Sequence, residues 1–180
     1  MDSTTVTVGK VLLSDNSSDL TIIQTGATIV PGDTLITGNI TYTNASTVDT
    51  YVAVVVSFTI AGQPATATEI NAMGIAFTTD AGWELTTDGN KQVYVNKGTD
   101  YKVASTSTSL PFTTEDVKFE AKEHSTDGTL PEGSVQGKVV VMSITAYQTQ
   151  AKFVTVTGTA SASTVWTAMK TALADNSITA

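Results

Sequence analysis

Residues 51–60 read YVAVVVSFTI, ten positions without a charge, a glycine or a proline. β-Branched and aromatic side chains are stiff at χ1 and fit a pleated surface better than a helix, so the run is a strand. Val52, Val54, Val56, Phe58 and Ile60 fall on one face and Tyr51, Ala53, Val55, Ser57 and Thr59 on the other; the first face should be core. KVVVMSITAY at 138–147 starts apolar on both faces, which predicts a strand in the middle of a sheet with cover on both sides. TLITGNITYT at 34–43 alternates Ile36, Ile40 and Tyr42 with Thr37, Asn39, Thr41 and Thr43, and Val30-Pro31-Gly32-Asp33 turns the chain into it. Only the polar link NASTVD separates it from the 51–60 run, so the two are expected to pair as antiparallel neighbours.

The rest of the chain is punctuated in the same way. Trp83-Glu84-Leu85 and Gln92-Val93-Tyr94-Val95 flank Asp88-Gly89-Asn90, an Asp-Gly hairpin signal. DVKFEAK at 116–122 alternates Val117, Phe119 and Ala121 with charged residues and reads as a one-sided strand, and STDGTLPEGS at 125–134 reads as a loop. Two stretches carry helical signs. ATATEINAMG at 65–74 has Thr66 or Thr68 as N-cap and Gly74 as stop; farther on, Ser163 caps a segment whose Val165, Trp166, Met169 and Leu173 recur at helical spacing and should lay the Trp on a sheet. With roughly eight or more strands and a turn about every ten residues, two sheets burying each other's apolar faces are the expected architecture. No internal repeat or linker divides the chain, so one domain is the simplest account.

At 180 residues such a domain buries roughly 70% of the surface of its unfolded chain without metal or disulfide help. There is no cysteine, which removes disulfides, thiolate zinc sites and cysteine nucleophiles together. Nine lysines, no arginine and seventeen acids give a net charge of −8, the wrong sign for tracking a phosphate backbone or an anionic membrane. No run approaches the ~20 apolar residues of a membrane span. Nothing at Met1 resembles a basic region followed by an apolar one, so any secretion signal is expected to have been removed or never to have existed.

Chemistry finds no foothold. His124, the only histidine, stands in KEHSTD, and neither a serine triad nor HExxH zinc binding can be assembled around it, even with Glu123 beside it. Asp15-Asn16-Ser17-Ser18-Asp19 lacks the glycine and downstream glutamate of a calcium loop and reads as a turn. Asp88 and Asp127 precede glycines and are explained as turn formers. No phosphate-binding or nucleophile-elbow motif occurs, so no enzyme activity, cofactor or metal is expected. Three N-x-[ST] sequons begin at Asn16, Asn39 and Asn44; the last, in a loop, is the better glycosylation acceptor if the host modifies exported proteins.

The first residues pose the remaining question. TTVTVGKVLL, residues 4–13, is nearly pure strand, yet a terminus frays unless another element holds it. Val6 and Val8 point one way and Thr5 and Thr7 the other, so Thr4, Thr5, Val6, Thr7 and Val8 can complete a sheet while keeping a polar outer face. That sheet is either their own or another copy's.

Taken in order, TVTVGKVLL, IVPGDTLITGNITYTNASTVDTYVAVVV, the GW…GNKQVYVNKGTDY segment and KVVVMSITAYQTQA before a Trp-containing helix resemble the TasA/camelysin family of SipW-type exported proteins, including archaeal bundling-pilus subunits. The family's terminal motif corresponds to Ala146-Tyr147-Gln148-Thr149 with one position changed. The resemblance implies an all-β, jelly-roll-like antiparallel sandwich with one or two short helices. Residues 1–9 would be a donor strand with Gly9 as hinge, and 10–180 a single sandwich domain. It further implies secretion and polymerisation with copies of itself into an extracellular biofilm fibre or pilus, with lateral bundling of fibres. The protease activity described for camelysins finds no residues here to carry it. The competing expectation is a monomeric surface module that binds carbohydrate through aromatics at one end, for which Trp83, Tyr94 and Tyr101 are the candidates, or a viral decoration protein.

Overall fold

The computed structural model describes residues 13–15, 21, 22, 34, 36, 37, 40–75, 77, 82–112 and 138–175. Among them the order is β1 (Leu13–Asp15), β2 (Thr21–Ile22), β3 (Ile36–Thr37), β4 (Ile40–Asn44), β5 (Thr50–Ile60), β6 (Gln63–Pro64), α1 (Ala67–Met73), β7 (Trp83–Asp88), β8 (Lys91–Asn96), β9 (Ser109–Phe112), β10 (Val140–Gln150), a 3-10 turn at Ala151–Phe153 and α2 (Ala162–Asp175). The strands expected at 4–8 and 116–122 and the loop at 125–134 lie outside the described residues.

All pairings are antiparallel. β1-β4-β9 form one sheet, β10-β5-β8-β7 with β6 beside β5 form a larger one, and β2-β3 stand as a separate pair. The two larger sheets share a core in which Ile40, Tyr42, Leu110 and Phe112 of the small sheet meet Val52, Val54, Val56, Phe58, Trp83 and Tyr94 of the large one. Phe112 is its centre, edge-on to Tyr94 at 5.2 Å and to Trp83 at 5.4 Å, and the Trp83 indole N–H donates to the Pro111 carbonyl across the gap at 2.6 Å. The opposite face of the large sheet, with Tyr51, Ala53, Val55, Val93 and Val95, is roofed by Ala162, Val165, Trp166, Met169 and Ala172 of α2. Both faces of β5 are therefore buried, and the face expected to be outer is half of a second core.

Local signals form as expected. Thr66 caps α1 in a reciprocal capping box with Glu69, and Gly74 ends it in the left-handed conformation at φ 61°. β7 and β8 form the hairpin, with Gly89 in its turn at φ 58°. The Glu69 carboxyl is held below its usual range, first by the Thr66 backbone N–H.

Three expectations are corrected. β4 and β5 do not pair: β4 lies between β1 and β9, whereas β5, apolar on both faces, takes a place between β10 and β8, and residues 45–49 carry the chain from one sheet to the other. The expected strand 34–43 is two strands, β3 on β2 and β4 on β1. The cap of α2 is Ser161, not Ser163: the Thr164 N–H donates to Ser161 Oγ at 3.3 Å and the Ser161 N–H to Thr164 Oγ1 at 2.9 Å. This starts the helix two residues earlier and brings the Ala162 N–H to Glu84 Oε1 at 3.2 Å.

Candidate functional site: the outer edge of the long sheet

The fourth correction concerns β10, which was expected in the middle of a sheet under cover. It pairs with β5 over eleven residues, from Val140↔Ile60 to Gln150↔Thr50, and stands at the end of the sheet order among the described residues. On the core face, Ile60, Phe58, Val56 and Val54 of β5 are only 4, 3, 0 and 0% exposed. Their directly opposed neighbours on β10, Val140, Met142, Ile144 and Ala146, are only half-buried. One strand spacing, about 4.8 Å, separates full cover from half cover. On the other face Val141 is 52% exposed, while Tyr147 sits against Trp166 at 5.7 Å between ring centroids. The apolar outer positions that suggested a central strand are thus partly wetted.

No residue from Val139 to Gln150 is charged, and none is a proline or glycine. The charges stop at the ends, where Lys138 lies 4.0 Å from Glu69 and Lys152 follows the strand. Natural sheets blunt an exposed edge with charge, proline, bulges or brevity. β10 has none of these: it is long, neutral and in regular register with β5 throughout.

A buried polar cluster closes one end of the edge. Asn44, 1% exposed, donates through Nδ2 to the carbonyls of Ala104 at 3.3 Å and Ser107 at 3.1 Å, and its Oδ1 accepts the Ser46 N–H at 3.1 Å. Gln148, on the core face of β10, donates through Nε2 to Asn44 Oδ1 and to Thr50 Oγ1, each at 3.0 Å. These bonds join the two sheets and stitch the 45–49 crossing. The proposed glycosylation acceptor is therefore a buried hub whose amide nitrogen is already engaged, and the folded chain offers it no room for a glycan.

Two acids of β7, Glu84 and the turn-forming Asp88, hold α2. Glu84 accepts the Tyr101 hydroxyl at 2.5 Å as well as the Ala162 N–H, and both contacts, the hydroxyl first, keep its carboxyl below the usual range. Asp88 accepts the Trp166 indole N–H and faces Lys170, each at 2.9 Å, and its carboxyl is held low by the indole first and the lysine second.

Residues Thr4, Thr5, Val6, Thr7, Val8 and Gly9 lie outside the described residues, as do Glu123, His124 and residues 16–19. Among the described residues no cluster of three metal-ligating side chains occurs, and no helix is long and apolar enough to cross a membrane. Of the aromatics a carbohydrate platform would need, Trp83 and Tyr94 are in the core at 4 and 1% exposure, and burial pushes the Tyr94 hydroxyl up to about 12. Tyr101 is spent on Glu84. Comparison with family models, curated proteins and solved structures finds no match for this chain.

Proposed function

We propose that this chain is a structural subunit of an extracellular filament, polymerising when residues 4–8 of one copy add as a strand to the β10 edge of the next. The observation that carries the reading is the sharp fall in burial from β5 to β10 along an edge without charge or proline. An added strand restores what is missing. Val6 and Val8 would extend the apolar layer over Val140, Met142, Ile144 and Ala146, and the edge, which has no partner among the described residues, would gain a backbone ladder. Two buried valines contribute roughly 3–6 kcal/mol, and each ladder hydrogen bond about 1 kcal/mol net.

The contact is head-to-tail, since the donor is a terminus and the acceptor a sheet edge, and contacts of that kind run on without closing. In this reading the fold is the jelly-roll-like sandwich of the TasA/camelysin family and the domain is completed only in the polymer. A low charged fraction, 14%, eases packing of fibres side by side, against the −8 of each subunit. Deleting residues 2–8 tests the reading: the expected product is a folded monomer by size-exclusion chromatography with no fibres in negative stain, and fibres of normal yield from the deleted chain would sink it.

A further inference from the structure

Asp88 is followed by the glycine of the β7-β8 turn, and the chain holds one other Asp-Gly dipeptide, Asp127-Gly128. Such a dipeptide can react with itself. The Gly89 backbone nitrogen, once a solvent base has taken its proton, attacks Asp88 Cγ; one carboxyl oxygen leaves as water and a five-membered succinimide closes. Water then opens the ring at either carbonyl, and opening at the backbone carbonyl of Asp88 routes the main chain through the side-chain carboxyl as isoaspartate. A glycine in the attacking position favours closure because no Cβ crowds its nitrogen. Around Gly89 the approach is open: the residue is exposed at φ 58°, and a Cβ added there would meet nothing within 4 Å.

The side chain of Asp88 is anchored away from that nitrogen. Its Oδ2 accepts the Trp166 indole N–H at 2.9 Å and lies 2.9 Å from Lys170 Nζ, both on α2. Lys170 Nζ also stands 5.8 Å from the Trp166 ring centroid, so the three side chains form one tie. Ring closure needs the carboxyl swung back along its own chain, and it needs an oxygen that has been protonated to leave as water. The tie opposes both. It turns the carboxyl toward the helix, and the indole first and the ammonium second keep it ionised. The main chain is held as well, because Asp88 opposite Lys91 is the last pair of the β7-β8 ladder.

We propose that Asp88-Gly89 is a site of spontaneous covalent modification, converting to isoaspartate, and that α2 guards it by holding the Asp88 carboxyl on Trp166 and Lys170. The dependence runs both ways. Local opening of α2 frees the carboxyl to cyclise. Isoaspartate in turn adds one methylene to the main chain at the head of the turn and leaves its free carboxylate on Cα, so Trp166 and Lys170 lose the group they hold. The Asp88↔Lys91 pair loses its register at the same time. A converted chain cannot re-form the tie. Water is the only other reactant, and the inference concerns a single subunit whether or not copies polymerise.

The full-length protein is incubated for weeks at neutral pH, natively and in guanidinium chloride, and isoaspartate at each Asp-Gly dipeptide is counted by mass spectrometry of its peptides. Asp127-Gly128, which no variant touches, is the internal clock of every incubation. Conversion at Asp88 is expected to be about tenfold slower in the native chain than in the denatured one, the effect of hydrogen bonds to a charged group. Native Lys170→Gln, at a half-exposed position that the fold does not depend on, should convert about threefold faster than native wild type. Trp166→Phe with Lys170→Gln, which keeps a ring over the second core, should recover most of the difference between native and denatured chains. Equal conversion of Asp88 in native and denatured wild type overturns the proposal. So does an unchanged rate in Lys170→Gln, or an Asp88 that stays intact in guanidinium chloride while Asp127 converts.

Discussion

Among the described residues the large sheet ends in β7 on one side and β10 on the other, and the two ends are finished differently. β7 is six residues long and places Glu84 and Asp88 on the face that α2 covers. Each of those acids is committed, Glu84 to Tyr101 and the start of α2, Asp88 to Trp166 and Lys170. β10 is eleven residues long, neutral, and half-covered on its core face. Charge on a short strand under a helix removes an edge from further pairing; a long neutral strand with exposed aliphatics invites it. On the proposed reading the difference separates residues that hold the subunit together from residues that would hold subunits to each other, and substitutions on the two edges should therefore have opposite phenotypes.

The largest effect expected at the β10 edge is that of Ile144→Lys. Ile144 lies opposite the fully buried Val56 but is itself half-exposed. A lysine there can lay its stem on the core and put its ammonium in water, so the monomer should lose only about 1 kcal/mol in urea unfolding. The same ammonium would lie under an added strand with no carboxylate to meet it, and fibres should vanish by electron microscopy. Fibres of undiminished yield would show that this edge is not where subunits join.

Trp166→Ala probes the opposite side. It removes the ring that covers the second core, packs at a tilt against Tyr147 and donates to Asp88. Loss of about 3–5 kcal/mol is expected by chemical denaturation, with assembly at the β10 edge impaired only in proportion to the fraction unfolded. A loss under about 1 kcal/mol would mean that α2 is an ornament of the sheet and that the two edges differ less than their sequences suggest.

What the sequence disclosed and what it withheld follow one physical line. Short-range features were legible because their partners are adjacent: Thr66 finds Glu69 three residues on, and Asp88-Gly89-Asn90 makes its own turn. Sheet order was not, because alternation reports how many faces are apolar and says nothing of which strand lies alongside. The 51–60 run looked one-sided because Ser57 and Thr59 dilute its second face, yet α2 covers Tyr51, Ala53 and Val55 there. The 138–147 run looked two-sided because of Val139 and Val141, which are 69 and 52% exposed. Asn44 looks like a loop residue in the sequence because its partners Ala104, Ser107 and Gln148 lie 60, 63 and 104 positions away. Gln148 carried one signal, its place in the Ala146-Tyr147-Gln148-Thr149 motif, but a motif does not say that its amide will bond across to Asn44.

The smallest effect separates the edges by titration. Glu84 and Asp88 are held below their ordinary values of 4.5 and 3.8 by the groups that tie α2 to β7, the Tyr101 hydroxyl first for one and the Trp166 indole first for the other. A carboxyl whose folded value is depressed adds stability that is complete above its ordinary value and is lost as pH falls through it toward the folded one. Acidification from about pH 5 to below roughly 3.5 should therefore weaken the α2 seam. Because both carboxylates are largely solvated, the combined contribution stays under about 1 kcal/mol after screening. The β10 edge, with no titratable group between Val139 and Gln150 other than the Tyr147 phenol, has nothing to lose over that range. The double variant Glu84→Gln, Asp88→Asn should show a shallower fall in stability between pH 5 and 3.5 than the wild type, read from urea midpoints at each pH with tryptophan fluorescence as the probe. Parallel pH profiles for the two proteins would assign the acid sensitivity to other carboxylates and remove the titratable distinction between the finished edge and the open one.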